Sequence, residues 1–240
     1  MSSIRDRMAL AALVGAVPPG TVDAVLQETG AVAERVRALP PWVTTYHVLA
    51  SAMCPLAGYD DITELLWTSL PDATGRRLSK ERPTKGAVTR ARARLGTDPL
   101  VGLLRHGVRE VLGEPGKSAF DLHRFEKSGA RLWWIADSDT GALRGCDVRG
   151  AGLDGAVELV RAVGATRVTA HVSAEVGAAL RERLGVEVTT VASPAADGAL
   201  WQGMRARSRT AWEQEALARA CVSVAAERAL ERARDADDTL

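Results

Sequence analysis

Apolar positions in the first half of the chain recur at helical spacing, and those in the second half fall into short runs separated by glycine-bearing turns. That pattern predicts helices first and a mixed sheet afterwards. Residues 4–16 read as a helix, and Pro18-Pro19-Gly20 turns the chain into a second one starting near Thr21. Val22, Val25 and Leu26 share a face of that helix, with Thr21 as its N-cap and Gly30 as its stop. Residues 34–39 lead to Pro40-Pro41, after which 42–56 is apolar nearly all round. Such a segment belongs at the centre of a small bundle. Asp60 or Asp61 is placed to cap the next helix, whose stripe is Ile62, Leu65 and Leu66 and whose end falls near Leu70. A polar and basic linker over 71–82 follows, then a helix between Thr84 and Gly96, then a closing helix over 100–112 with Val101, Leu104, Val108 and Val111 on its apolar side.

Beyond a linker at 114–118, residues 120–127 read as a short helix and 131–136 as a strand. Asp139-Thr140-Gly141 makes a turn, and 143–148 returns as the second strand of a hairpin. A helix over 153–163, a strand over 167–172, a helix over 174–184 and a strand over 186–191 complete a β-β-α-β-α-β order with parallel pairing among the later strands. From 196 to about 236 the chain is helix-prone and charged, with Leu200, Trp201, Met204, Trp212, Ala216 and Leu217 as packing residues that cover the sheet or meet another subunit. The class is therefore α+β: an all-α domain over 1–113 with a helix-turn-helix-like element, a small α/β domain over 119–195, and a C-terminal helical segment over 196–240.

Composition leaves this picture intact, since 46% hydrophobic and 25% charged residues describe an ordinary globular chain. Charge changes it. The chain is only +1, yet residues 1–118 carry +3 and 119–240 carry −2, so a polyanion should meet the first half. Cys54, Cys146 and Cys221 are far apart and fit neither a zinc site nor a disulfide framework, which predicts reduced thiols and a cytoplasmic location. The apolar run over 8–17 resembles a secretory signal but lacks a small-x-small cleavage site, so a buried helix is expected. No run reaches the roughly 20 residues needed to span a bilayer, and no membrane partner is expected.

The strongest concentration of charge lies in RRLSKERPTKGAVTRARARLG, residues 76–96. Arg76, Arg77, Lys80, Arg82, Lys85, Arg90, Arg92 and Arg94 oppose only Glu81, for a local charge of +7. At 100° per residue Val88, Ala91 and Leu95 form an apolar seam. Gly86, Thr89, Arg90, Ala93 and Arg94 turn away from it, and Lys85 and Arg92 flank the boundary. Small residues among arginines let a helix approach a major groove, where guanidinium groups reach guanine edges or phosphates. A merely solvated basic face has the same composition.

The ordered series VPPGTVDAVLQETG, RVRALPPWVTTYHVLASAMCPLAGYDDITELLW and PTKGAVTRARARLGTDPL resembles the N-terminal domain of insertion-sequence-four-type bacterial transposases, over roughly residues 10–113. The resemblance implies binding of double-stranded transposon-end DNA, with Arg90 and Arg94 at bases or close phosphates. Arg76, Arg77, Lys80, Arg82, Lys85 and Arg92 would then lie along the backbone, with Thr89 on the same face. It also implies a ribonuclease H-like catalytic domain with three metal-binding carboxylates and a Y-x2-R-x3-E-x6-K signature. Here the only tyrosines are Tyr46 and Tyr59, so that signature has no place in the second half. A transposase-derived DNA-binding protein without a recognisable catalytic core is the leading expectation, its second domain serving dimerisation, partner binding or regulation.

Two alternatives accompany it. Asp137, Asp139 and Asp147, with Glu175, could hold Mg²⁺ for phosphodiester cleavage, although Asp137 and Asp139 equally suit a hairpin turn. The strand over 167–172 offers no carboxylate, only His171. The other alternative is a remnant transposon product without activity. No cofactor follows from the leading expectation. Gly150-Ala151-Gly152 is a weak phosphate-site candidate at a helix start. His47 is expected to be a packed histidine, since no second ligand lies at helical spacing.

Overall fold

The computed structural model describes residues 3–32, 39–112, 119–127, 130–148, 152–192, 199–201, 203, 204, 206 and 208–237. The chain divides into two compact units, one of residues 1–107 and 206–240, the other of residues 108–205.

The first unit is helical: α1 (Ile4–Ala16), α2 (Pro19–Glu28), α3 (Pro41–Met53), α4 (Tyr59–Thr74), α5 (Lys85–Leu95), α6 (Asp98–Leu112, in this unit as far as Gly107) and α9 (Arg209–Asp237). Ser3 caps α1 in a capping box with Asp6. The all-apolar segment is the central helix, as its pattern requires, since every residue from Val43 to Ala50 on α3 is buried. Tyr46 is fully buried and donates its hydroxyl to the Val17 carbonyl at 2.6 Å. His47 is packed as expected, against the Tyr59 ring at 5.6 Å, and its burial pushes its pKa down to about 4. No single helix among the described residues is long and apolar enough to cross a membrane.

Three local expectations change. The second helix starts at Pro19 with Pro18 as N-cap, so Thr21 lies inside it and caps nothing, because proline at the first helical position needs no amide partner. Neither Asp60 nor Asp61 is the cap of α4; Gly58 is, and Asp61 reaches back to accept from its amide at 3.0 Å. α4 also runs through Pro71 to Thr74, where Gly75 ends it in the left-handed conformation, φ 68°. On α6 the buried residues among those described are Pro99, Leu100, Leu103 and Leu104, with Val101 half-buried. The side chains of Val108 and Val111, like the linker at 114–118 and residues 33–38, lie outside the described residues.

The C-terminal helical segment divides: Trp201 is buried against Trp134 of the sheet, ring centroids 5.9 Å apart, whereas the long helix after it belongs to the helical unit. Helix α9 packs on α3 and α1 within the helical unit, burying Trp212, Ala216 and Leu217. Arg228 and Arg232 on α9 donate to the carbonyls of Ala16 and Gly15 at the end of α1, at 3.0 and 3.2 Å, where cations meet the negative end of the helix dipole.

The second unit holds β1 (Ala119–Lys127), β2 (Ala130–Asp137), β3 (Leu143–Asp147), α7 (Leu153–Ala162), β4 (Arg167–His171), α8 (Ala174–Leu184) and β5 (Glu187–Val191). Residues 120–127 are therefore a strand and not a helix. β1 is the middle strand of a five-stranded sheet of order β3-β2-β1-β4-β5, antiparallel to β2 and parallel to β4. Phe120 and Leu122 alternate with Asp121 and His123, which is strand periodicity. Backbone ladders on both sides favour it over an isolated helical turn. The order becomes β-β-β-α-β-α-β. Helices α7 and α8 bury the face that carries Phe120, Leu122, Trp133, Ile135, Val168, Ala170 and Val188. Asp121, His123, Trp134, Thr169 and His171 therefore belong to the opposite face.

Candidate functional site

Helix α5 is built as its sequence dictates. The Thr84 hydroxyl accepts from the Ala87 amide at 3.3 Å, and Gly96 ends the helix at φ 68°. Val88, Ala91 and Leu95 are buried. Lys85, Gly86, Thr89, Arg90, Ala93 and Arg94 are all exposed, so a cationic face free of bulky apolar groups looks outward. The approach is pinned: Trp67 on α4 donates its indole N–H to the Ser79 carbonyl at 3.0 Å.

The eight cations separate into two groups. Arg77, Lys80, Arg82, Lys85, Arg90 and Arg94 are half-buried at none of their positions, and among the described residues no ion pair engages them. Lys85 lies 5.7 Å from the Tyr59 ring centroid. Arg76 instead forms a two-pronged pair with Asp23, Nη1 to Oδ1 at 3.0 Å, and sits 5.2 Å from the Trp42 ring centroid. Arg92 donates to the Tyr59 hydroxyl at 2.9 Å and to Gln214 Oε1 at 3.4 Å. Both hold the bundle together, which the sequence pattern could not reveal because Asp23 and Gln214 are 53 and 122 positions away. Residues 7–105 match the family model of the Insertion element 4 transposase N-terminal domain. No curated protein and no solved structure matches the chain. The family match runs from within α1 to the middle of α6 and so contains the whole basic face.

In the sheet unit the acidic candidates do not converge as a three-ligand group. Asp137 Oδ1 accepts from the amides of Asp139 and Thr140 at 3.1 and 2.9 Å and from the Thr140 hydroxyl at 2.9 Å. These bonds outweigh burial and hold its carboxyl below the usual range. That is a turn-shaping role. Asp147 ends β3 close against Gly155 of α7, Asp139 is exposed in the turn, and Glu175 is exposed in the first turn of α8. Gly150 and Ala151 lie outside the described residues, and Gly152 is the N-cap of α7.

A different trio does converge. Asp121, His123 and His171 bring one oxygen and two ring nitrogens within 4.8 Å of one another, the group of this kind among the described residues. His123 and His171 are register partners on β1 and β4, and His123 opposes Trp134 on β2. The rings stack in series, Trp134 on His123 at 4.8 Å and His123 on His171 at 4.3 Å. Burial, then the neighbouring His171, pushes the His123 pKa down to about 4, so the imidazole is neutral. Asp121 Oδ1 accepts from the Ser138 hydroxyl at 3.0 Å and lies 3.8 Å from His171 Nε2. A helix over 120–127 would not align Asp121 with His123, so the sequence pattern singles out neither; the alternation of Phe120 and Leu122 with polar neighbours is the signal that does.

Proposed function

We propose that the helical unit binds double-stranded DNA, with the exposed face of α5 laid in the major groove. The single observation that carries this reading is the exposed Lys85, Thr89, Arg90 and Arg94 row on a capped helix inside the segment matched to a transposase N-terminal domain. Its 11 residues extend about 16 Å, at ~1.5 Å per residue, and a groove about 12 Å wide admits a helix. Arg90 and Arg94 read bases or grip close phosphates, while Arg77, Lys80, Arg82 and Lys85 follow the backbone. Arg76 and Arg92 position the unit from behind. In this reading the helices α4 and α5, joined through residues 75–84, act as a helix-turn-helix with an enlarged connection. The protein is transposase-derived, and its sheet unit works in partner contact, including a homodimer, or in regulation.

Anisotropy titrations of a labelled duplex test the reading. Replacing Arg90 and Arg94 by Ala should weaken binding by about 1–3 kcal/mol per lost base contact. It should also flatten the dependence of log K on log salt, whose slope counts neutralised phosphates. Unchanged affinity and slope at moderate salt would remove α5 as the contact surface.

A further inference from the structure

We infer that Asp121, His123 and His171 form a binding site for a divalent transition ion of zinc's kind, and not for Mg²⁺. The site lies in the sheet unit and is independent of the DNA reading.

The donor chemistry sets the preference. Mg²⁺ is a hard cation that takes oxygen ligands, whereas two imidazoles and one carboxylate suit Zn²⁺ and its neighbours. The three metal-binding carboxylates expected of a transposase catalytic domain are not what this face offers. It presents one carboxylate, and β4 ends in an imidazole at His171.

The scaffold is built for the purpose in three ways. First, the ligands stand on adjacent parallel strands, with His123 directly across from His171 and Asp121 two residues before His123, so backbone ladders fix their spacing. Second, the carboxylate is oriented by a neighbour, the Ser138 hydroxyl, which donates to Asp121 Oδ1; ligating carboxylates are ordinarily held by such outer partners. Third, Nδ1 of His123 is buried and meets no hydrogen-bond partner among the described residues. A buried ring nitrogen without a partner is costly, and coordination by an ion removes that cost.

The separations are those of an open site. Ligand atoms bound at about 2.0–2.2 Å lie roughly 3.3 Å apart in a tetrahedron. The Asp121–His171 pair is at 3.8 Å and the whole trio is within 4.8 Å. Closing on an ion requires the two parallel imidazoles, 12° between planes, to turn out of their stack. His123 then moves against Trp134, on which it is stacked. Three protein ligands leave one tetrahedral position for water or a ligand.

The test uses the full chain, titrated with Zn²⁺ against a chromophoric chelator, with tryptophan emission followed in parallel. Expected are one equivalent of tight Zn²⁺, an emission change at the same equivalence point, and no displacement by millimolar Mg²⁺. Asp121→Asn and His171→Ala should each weaken binding more than about tenfold and abolish the emission change. Asp121→Asn retains an oxygen for the Ser138 hydroxyl, so it decides the matter if the histidine variant misfolds. Co²⁺ in place of Zn²⁺ should give visible absorption of tetrahedral intensity in the parent chain and not in the variants. Equal Zn²⁺ affinity in parent and Asp121→Asn chains, or binding that Mg²⁺ displaces, overturns the proposal.

Discussion

The Gln214 side-chain amide donates to the Arg92 carbonyl at 2.8 Å, from a helix 122 positions further along the chain. The same nitrogen reaches the Gly96 carbonyl at 2.7 Å. Helices end with unsatisfied carbonyls, and here α9 supplies the donors for the end of α5. Gln214 is buried, so the arrangement also satisfies its own amide. The proposed DNA-contacting helix is thereby held from behind by the last helix of the chain.

Gln214→Ala should therefore destabilise the helical unit by about 1–3 kcal/mol, the range for leaving buried partners unsatisfied. Urea denaturation followed by circular dichroism measures it. Gln214→Met should cost a similar amount, because it keeps the length of the side chain and removes the donor facing two carbonyls. A methionine variant as stable as the parent would show that the carbonyl contacts contribute nothing.

The two classes of arginine should separate experimentally. Arg90→Ala and Arg94→Ala remove exposed side chains and should leave the urea midpoint within about 0.5 kcal/mol, as exposed substitutions usually do. Arg92→Ala removes the contacts to Tyr59 and Gln214 and should lower stability by about 1–2 kcal/mol. Measuring each variant's stability beside its duplex affinity distinguishes a lost contact from a loosened bundle.

Stability should fall on acidification through His47. Its folded pKa is lowered to about 4 from an ordinary 6.5, so the unfolded chain binds the proton first. The contribution is fully present above about pH 6.5 and is lost as pH falls toward 4. Linkage gives about 2 kcal/mol between pH 7 and pH 5. Urea midpoints across that range should flatten for the helical unit in His47→Gln; an unaltered slope would assign the effect elsewhere.

Helix α8 should not tolerate a methyl group at Gly177. An added Cβ there would lie 2.2 Å from Thr190 Oγ1 and 2.8 Å from its Cγ2, on β5. Overpacking of this sort costs about 1–3 kcal/mol. Gly177→Ala should lower the stability of the sheet unit by that amount, and adding Thr190→Ser, which removes the Cγ2 methyl, should restore part of it.

Much of the helical unit was legible because its signals are local. Thr84 and Gly96 bound α5, the seam of Val88, Ala91 and Leu95 chooses its buried face, and the arginines on the opposite face follow from 3.6-residue periodicity. The apolar segment ending in Met53 had to be central, since no face of it could meet water. Proline at 71 and the double proline at 18–19 misled the helix boundaries, because a helix start needs no proline amide and a packed helix can carry one missing bond.

What tertiary structure decided is which distant groups meet. Nothing near Arg76 or Arg92 in the chain announces Asp23, Tyr59 or Gln214, so only folding separated these two inward cations from the six outward ones. The strand β1 is short-range ambiguous and gains its identity from ladders to β2 and β4. Those same ladders set Asp121 and His123 beside His171, 48 residues beyond His123 in sequence but adjacent in register. Local periodicity fixed the amphipathic helices; pairing across the sheet, a non-local choice, fixed the site.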